Sequence, residues 1–191
     1  MPAIAVVAFS GTGTTLRLAE AVTEGAGPGA VLMPIRGAQI VEGRFKDDAF
    51  LAALDGMDAI VYGAATYMGG PAAPFKAFAD ATGGRWFQRT WSGKVAGGFT
   101  ASGSPSGDKQ VTLQYLQTLA MQHGQVWVGQ DAIAGWMLGQ PQDTAINFLG
   151  SHGGVMARQA NDKGGVISPG DTATAKAYGA RIAAITAKLR G

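Results

Sequence analysis

Hydrophobic and polar positions along these 191 residues follow two rhythms. Short, solidly apolar runs recur at Ile4 to Phe9, Val31 to Ile35, Ala59 to Gly63, Val95 to Thr100 and Gln125 to Gly129. Runs that are apolar on both faces suit buried parallel strands covered from both sides. Between them the apolar residues return every third or fourth position, the rhythm of amphipathic helices. Leu18, Ala19, Val22 and Ala26 share one face and Arg17, Glu20 and Glu24 the other, predicting a helix that starts near Thr14. Asp47 or Asp48 can cap a short helix through Phe50, Leu51 and Leu54, which Asp55-Gly56 ends. Pro71 or Pro74 suits the first turn of a helix carrying Phe75, Phe78 and Ala79. Leu113, Leu116, Leu119 and Ala120 predict another. Tyr178, Ile182, Ile185 and Leu189 predict the last, with Lys188 and Arg190 at its negative end.

Five strands alternating with helices through right-handed crossovers make an α/β fold, a doubly wound five-stranded parallel sheet of order 2-1-3-4-5. One domain over residues 1–191 accommodates the pattern, with a long loop at about 130–168. In this topology ligands bind beyond the carboxyl ends of the strands, beside the switch point between the first and third. The loops after strands one, three and four are therefore expected to converge.

The first of these loops organises the chain. Ser10-Gly11-Thr12-Gly13-Thr14-Thr15 separates the first strand from the first helix, so the helix's unpaired N–H groups and positive dipole end face it. A P-loop would need Gly-Lys-Ser/Thr, but this loop has no lysine and the Gly93-Lys94 pair is followed by Val95. A dinucleotide fingerprint would need a third glycine at position 16, which is Leu, and an acidic residue after the second strand, where Arg36 stands. What remains is a short hydroxyl-rich loop wrapping a phosphate monoester. Ser10-x-Thr12-Gly13-x-Thr15 resembles the flavodoxin pattern S/T-x-T-G-x-T, which in that family holds the phosphate of FMN.

Composition narrows the partners. The net charge is only +2 and no lysine or arginine block occurs, which argues against nucleic acid. The absence of cysteine excludes disulfides, thiolate-bound zinc and a catalytic thiol, and no metal site is expected. The chain opens on a strand and has no apolar run of membrane-spanning length, so no membrane span and a cytoplasmic location are expected. The loops after strands three and four, Ala64 to Pro71 and Thr100 to Asp108, are rich in small and hydroxyl residues. Such loops can meet the edge of a flat heterocycle, with Tyr67 or Met68 packing on its face.

Further motifs carry a family resemblance. Gly63-x-x-Thr66-x-x-Gly69, then Phe78-x-Asp80-x-Thr82-Gly83-Gly84-x-Trp86, and Ser92-Gly93-Lys94 are similar to the WrbA-type NAD(P)H:quinone oxidoreductases of the flavodoxin-like superfamily, and Lys188-Leu189-Arg190-Gly191 has the family's look. The resemblance runs from Ile4 to about Gly129. It implies a flavodoxin-like fold and an FMN enzyme that takes hydride from NADH or NADPH and passes two electrons to a quinone. It also implies a homotetramer or homodimer. Carried over, Ser10, Thr12, Gly13, Thr14 and Thr15 would hold the phosphate, and Thr66, Tyr67, Met68 and Gly69 would lie along the ring. Thr100, Ala101, Ser102, Gly103 and Ser104 would border its other edge, and Trp86 would help form the substrate pocket. The family usually has a basic residue where Tyr67 stands and an aromatic where Met68 stands, and here Gln122, not histidine, precedes His123-Gly124. His123 reads as a core histidine. Gly150-Ser151-His152-Gly153-Gly154 lacks the elbow sequence of a catalytic serine. Two other readings are a flavodoxin-type electron carrier and a non-catalytic binding or scaffold protein that has lost flavin.

Overall fold

In a computed structural model that describes residues 1–161 and 164–190, the apolar run β1 (Ile4–Phe9) is an interior strand of the sheet. Asp162 and Lys163, within the long loop, and Gly191, the end of the Lys188 to Gly191 stretch, lie outside the described residues. After β1 come α1 (Thr14–Ala26), β2 (Ala30–Pro34), a small antiparallel pair β3 (Ile40–Val41) and β4 (Arg44–Phe45), and α2 (Asp48–Asp55). Then follow β5 (Ala59–Tyr67), β6 (Gly70–Pro71), α3 (Ala73–Ala81), α4 (Gly83–Phe87) and β7 (Val95–Ser102). The chain continues through α5 (Lys109–Gln122), β8 (Val126–Trp127), β9 (Val155–Arg158) and α6 (Pro169–Arg190). The caps behave as the side chains dictate: Asp47 accepts the Phe50 N–H at 2.8 Å to start α2, and Pro74 occupies the first turn of α3.

The sheet order is β2-β1-β5-β7-β8, the expected 2-1-3-4-5 succession, with Ile4 paired in parallel to both Ala30 and Ala59. Alternation along the strands divides the core between the two faces. Ala5, Val7, Ile60 and Tyr62 pack with Leu51, Leu54, Phe75, Phe78, Leu113 and Leu116 from α2, α3 and α5. Ile4, Val6, Ala59 and Val61 pack with Leu18, Val22, Tyr178 and Ile182 from α1 and α6.

Two boundaries differ from the expectation. The third and fourth strands run past Gly63 and Thr100 to Tyr67 and Ser102, so the first part of each supposed loop is strand. The extra length is stabilised by partners that no local pattern reveals: β6 folds back on Thr66 and Tyr67, and β9 pairs with Phe99 to Ser102. The fifth strand, expected over Gln125 to Gly129, is shorter there and split. Val126 and Trp127 pair with Val95 and Ala96, the chain leaves the sheet, and Val155–Arg158 returns to occupy the same edge further along. The excursion is tied down by Asn147, whose side chain donates to the Ala132 carbonyl at 2.8 Å and accepts the Ser151 N–H at 2.9 Å.

Candidate functional site

The carboxyl ends of β1, β5 and β7 converge. Thr12, Thr14 and Thr15 from the first loop, Ala65 and Tyr67 from β5, and Ala101, Ser102 and Gly103 from the end of β7 line a cavity of about 80 Å³ that Gln159 closes. That is space for a few water-sized groups, which suits the phosphate end of a ligand and leaves a ring outside it.

The first loop is built to leave donors free. Ser10 Oγ accepts the Gly13 N–H at 3.0 Å, closing a tight turn, and Gly13 takes the left-handed conformation with φ at 93°. α1 then begins with no side-chain cap, although hydroxyl residues flank it. The N–H groups of its first turn have no preceding turn to bond and point toward the loop. No carboxylate lies between residues 10 and 15, and the nearest acidic group along the chain, Glu20, is paired with Arg17 on the exposed face. Thr15 is buried beneath the loop. Thr14 is braced from the side: its hydroxyl accepts the Gly165 N–H at 3.0 Å and donates to Gln159 Oε1 at 3.4 Å.

The second wall is a hairpin. Tyr67 pairs with Gly70 across the two-residue turn Met68-Gly69, both with positive φ, at 47° and 77°. The tip leaves Met68 fully exposed, while the Tyr67 hydroxyl lies over the loop, 2.3 Å from where a Cβ on Gly11 would sit. Only glycine at position 11 lets that phenol approach.

Thr66 and Thr100 stand behind the wall. Thr66 Oγ1 is 2.7 Å from both Thr100 Oγ1 and Thr112 Oγ1, and Thr100 Oγ1 donates to the Ala64 carbonyl at 2.6 Å. All three hydroxyls are buried, so they tie β5, β7 and α5 together instead of facing the cavity. Ser102 Oγ and the Ser104 carbonyl accept from Lys109 Nζ at 2.8 and 2.7 Å. Trp86 sits on α4 at the opposite end of the sheet, where its neighbour Arg85 pairs with Asp55 at 2.8 Å; within one chain it does not meet the cavity. His123, at the end of α5, is buried against Trp91 with ring centroids 4.6 Å apart, in keeping with its reading as a core histidine.

Gln159, Gly165 and Lys109 were not legible as site residues. Gln159 and Gly165 lie beyond β9, which four residues of sequence do not announce, and Lys109 reads like any lysine at a helix start.

This architecture has relatives. The chain matches the family described as NADPH-dependent FMN reductase over residues 4–136. The chain belongs to this FMN reductase family. It is 43% identical over 185 residues to flavodoxin FldP of Pseudomonas aeruginosa, covering 96% of each chain. It is 30% identical over 206 residues to an NAD(P)H dehydrogenase (quinone) of Archaeoglobus fulgidus, covering 99% of this chain and 100% of the relative. A solved flavodoxin, WrbA-like protein from Agrobacterium tumefaciens superposes with a TM-score of 0.77 at 41% identity, covering 98% of this chain and 99% of that one.

The family name implies FMN, and the residues fit its phosphate. An uncapped helix start, a loop without carboxylates and a small cavity lined by threonine hydroxyls are the donor set that a phosphate monoester requires. The Ser10 to Thr15 loop carries no lysine, so its capacity to hold an anion comes from hydroxyls, backbone N–H groups and the α1 dipole.

Proposed function

We propose that this chain is an FMN-dependent two-electron reductase that takes hydride from NADH or NADPH and reduces quinones. The observation that carries the reading is the uncapped start of α1 inside the Ser10 to Thr15 loop, walled by Tyr67 and by Ser102 and Gly103. The family match and the quinone-dehydrogenase names of several relatives support it.

Bound FMN supplies the redox chemistry, NAD(P)H + H⁺ + quinone giving NAD(P)⁺ + quinol. The chain's own residues bind and orient. Ser10, Thr12, Gly13, Thr14 and Thr15 hold the phosphate through hydroxyls and N–H groups. Tyr67, Met68 and Gly69 present one wall to the ring, and Ala101 to Ser104 the other, with Thr66 and Thr100 fixing the strands behind them. The fully exposed Met68 gives the ring a soft, polarizable neighbour in place of an aromatic plane.

The same proposal covers assembly and location. Trp86 belongs to a substrate pocket only if a second copy brings it to the first copy's flavin, so we assign a homotetramer or homodimer. Ile133, Trp136, Met137 and Leu138, exposed on the excursion between β8 and β9, are its contact arm. The cysteine-free composition suits a reducing compartment, and we place the protein in the cytoplasm. Residues 1–191 act as one domain. Among the described residues no helix is long and apolar enough to cross a membrane.

Titration with FMN, followed by NADH or NADPH and a benzoquinone, tests the reading. Micromolar or tighter binding with nicotinamide oxidation that depends on quinone is expected; no FMN binding overturns it. The relative named flavodoxin favours a second reading, an electron carrier. FMN binding without any nicotinamide oxidation would select it. Trp86→Ala is expected to leave FMN affinity unchanged in the isolated chain and to slow quinone turnover; unchanged turnover would remove Trp86 from the pocket.

A further inference from the structure

Lys109, the first residue of α5, is 0% exposed, an unusual place for an ammonium group. It survives there because the end of β7 wraps around it. Nζ donates to Ser102 Oγ at 2.8 Å, to the Ser104 carbonyl at 2.7 Å and to the Pro105 carbonyl at 2.8 Å, so all three of its hydrogens are used. Three oxygens from four consecutive residues thus converge on one cation. Ser102 is also a lining residue of the cavity, next to Gly103. The geometry therefore links a buried charge to the wall that faces the cofactor.

We propose that Lys109 is a positioning residue for FMN: its charge, not merely its bulk, holds residues 102–105 in the shape that the cofactor cavity needs. The inference rests on the FMN reading given above. A helix N-terminus is ordinarily a poor place for a cation, because the dipole repels it. Placing one there, buried, destabilises the helix start and is retained only where the three acceptors gain from it. The charge also adds to the positive potential of a site that otherwise meets its anion with dipoles alone.

The charged state is adjustable in the ordinary range of pH. Burial pushes the Lys109 ammonium down to about 8. Asp171 at the start of α6 raises it, Arg158 at the end of β9 lowers it, and Asp108, beside it in the loop, raises it. The charged form is therefore present below about pH 8 and is lost as the pH rises through that value. A neutral amine has one hydrogen fewer than the three acceptors require, and the loop loses a contact.

The test is the FMN dissociation constant of the full chain from about pH 6.5 to 9, followed by flavin fluorescence, in the wild type and in Lys109→Met. The wild type is expected to weaken about tenfold as the pH rises through the region of 8, which is the loss of one charge-assisted hydrogen bond. Lys109→Met, of similar length and apolar, is expected to bind about tenfold more weakly at pH 7 with no such pH step. A wild-type profile that is flat through pH 8 overturns the inference, even if Lys109→Met binds weakly, because packing alone would then account for the loss. Should the variant fail to fold, the wild-type profile decides by itself. A wild type that binds no FMN at any pH overturns the FMN reading and this inference together, whereas tight but pH-independent binding overturns this inference alone.

Discussion

The phenol oxygen of Tyr178 accepts the backbone N–H of Gly98 at 3.0 Å, and its own hydrogen goes to the Val128 carbonyl at 2.6 Å. Gly98 lies on β7 between the residues paired with β8 and those paired with β9, so its edge faces the gap where the fifth strand is interrupted. Tyr178, fully buried on α6, fills that gap in place of a strand. Burial pushes its phenol well above the usual range, so it stays protonated and keeps both bonds. Tyr178→Phe leaves two buried backbone groups unpaired and is expected to cost about 2–6 kcal/mol of stability, from about 1–3 kcal/mol per orphaned group. Urea unfolding at neutral pH reads it directly.

The split strand also marks the limit of what the chain announces in advance. Ile4 to Phe9, the start of α1 at Thr14 and a cap at Asp47 or Asp48 were all legible, because each is a local pattern of six or more residues or a cap with a known geometry. A strand over Gln125 to Gly129 was legible but not its early end at Trp127, and Val155–Arg158 is too short to show a period; the pairing there is set by β7 and Tyr178. The residues that depend on them, Gln159 and Gly165, were invisible for the same reason. Thr66 and Thr100 were expected along the ring and its edge, and the sequence did not show which way their hydroxyls turn. Strand alternation turns their hydroxyls inward, toward Thr112 on α5.

That hydroxyl cluster makes a second prediction. Thr100→Val keeps the volume and removes the bonds to Thr66 and to the Ala64 carbonyl, leaving buried oxygens without a donor. A loss of about 1–3 kcal/mol is expected. The double variant Thr66→Val with Thr100→Val is expected to cost less than the sum of the singles, since the two share one contact. Strict additivity in denaturant unfolding would show that the threonines do not act together.

α1 and α6 approach so closely that glycine is required at their crossing. A Cβ on Gly179 would lie 2.1 Å from the Val22 carbonyl oxygen, and one on Gly25 would lie 1.9 Å from that of Lys176. Glycine to alanine in a helix ordinarily stabilises by about 1 kcal/mol. Here a backbone clash opposes it, and overpacking of this kind costs about 1–3 kcal/mol. Gly179→Ala is therefore expected to lower thermal stability, and a raised melting temperature would mean the helices can separate freely.

His123 sets an acid limit. Its Nε2 donates to Thr82 Oγ1 at 2.9 Å, since the Thr82 hydroxyl hydrogen goes to the Ala79 carbonyl at 2.7 Å. Nδ1 is buried without a partner among the described residues, and burial pushes the ring down to about 4. Below pH 6.5 the unfolded chain takes up a proton that the folded chain refuses until about pH 4. Stability present above pH 6.5 is thus lost progressively as the pH falls to about 4, by about 3 kcal/mol in total. Urea midpoints at pH 7 and 4.5 are expected to differ more in the wild type than in His123→Gln. Equal slopes would show that His123 charges freely in the folded protein.

The central claim is that the Ser10 to Thr15 loop at the start of α1 holds the phosphate of FMN. Comparing FMN with riboflavin, which has the same ring and no phosphate, isolates that contact. Two or more charge-assisted hydrogen bonds at about 1.5–3 kcal/mol each predict that FMN binds at least about 100-fold more tightly than riboflavin. Equal dissociation constants for the two flavins would contradict the account.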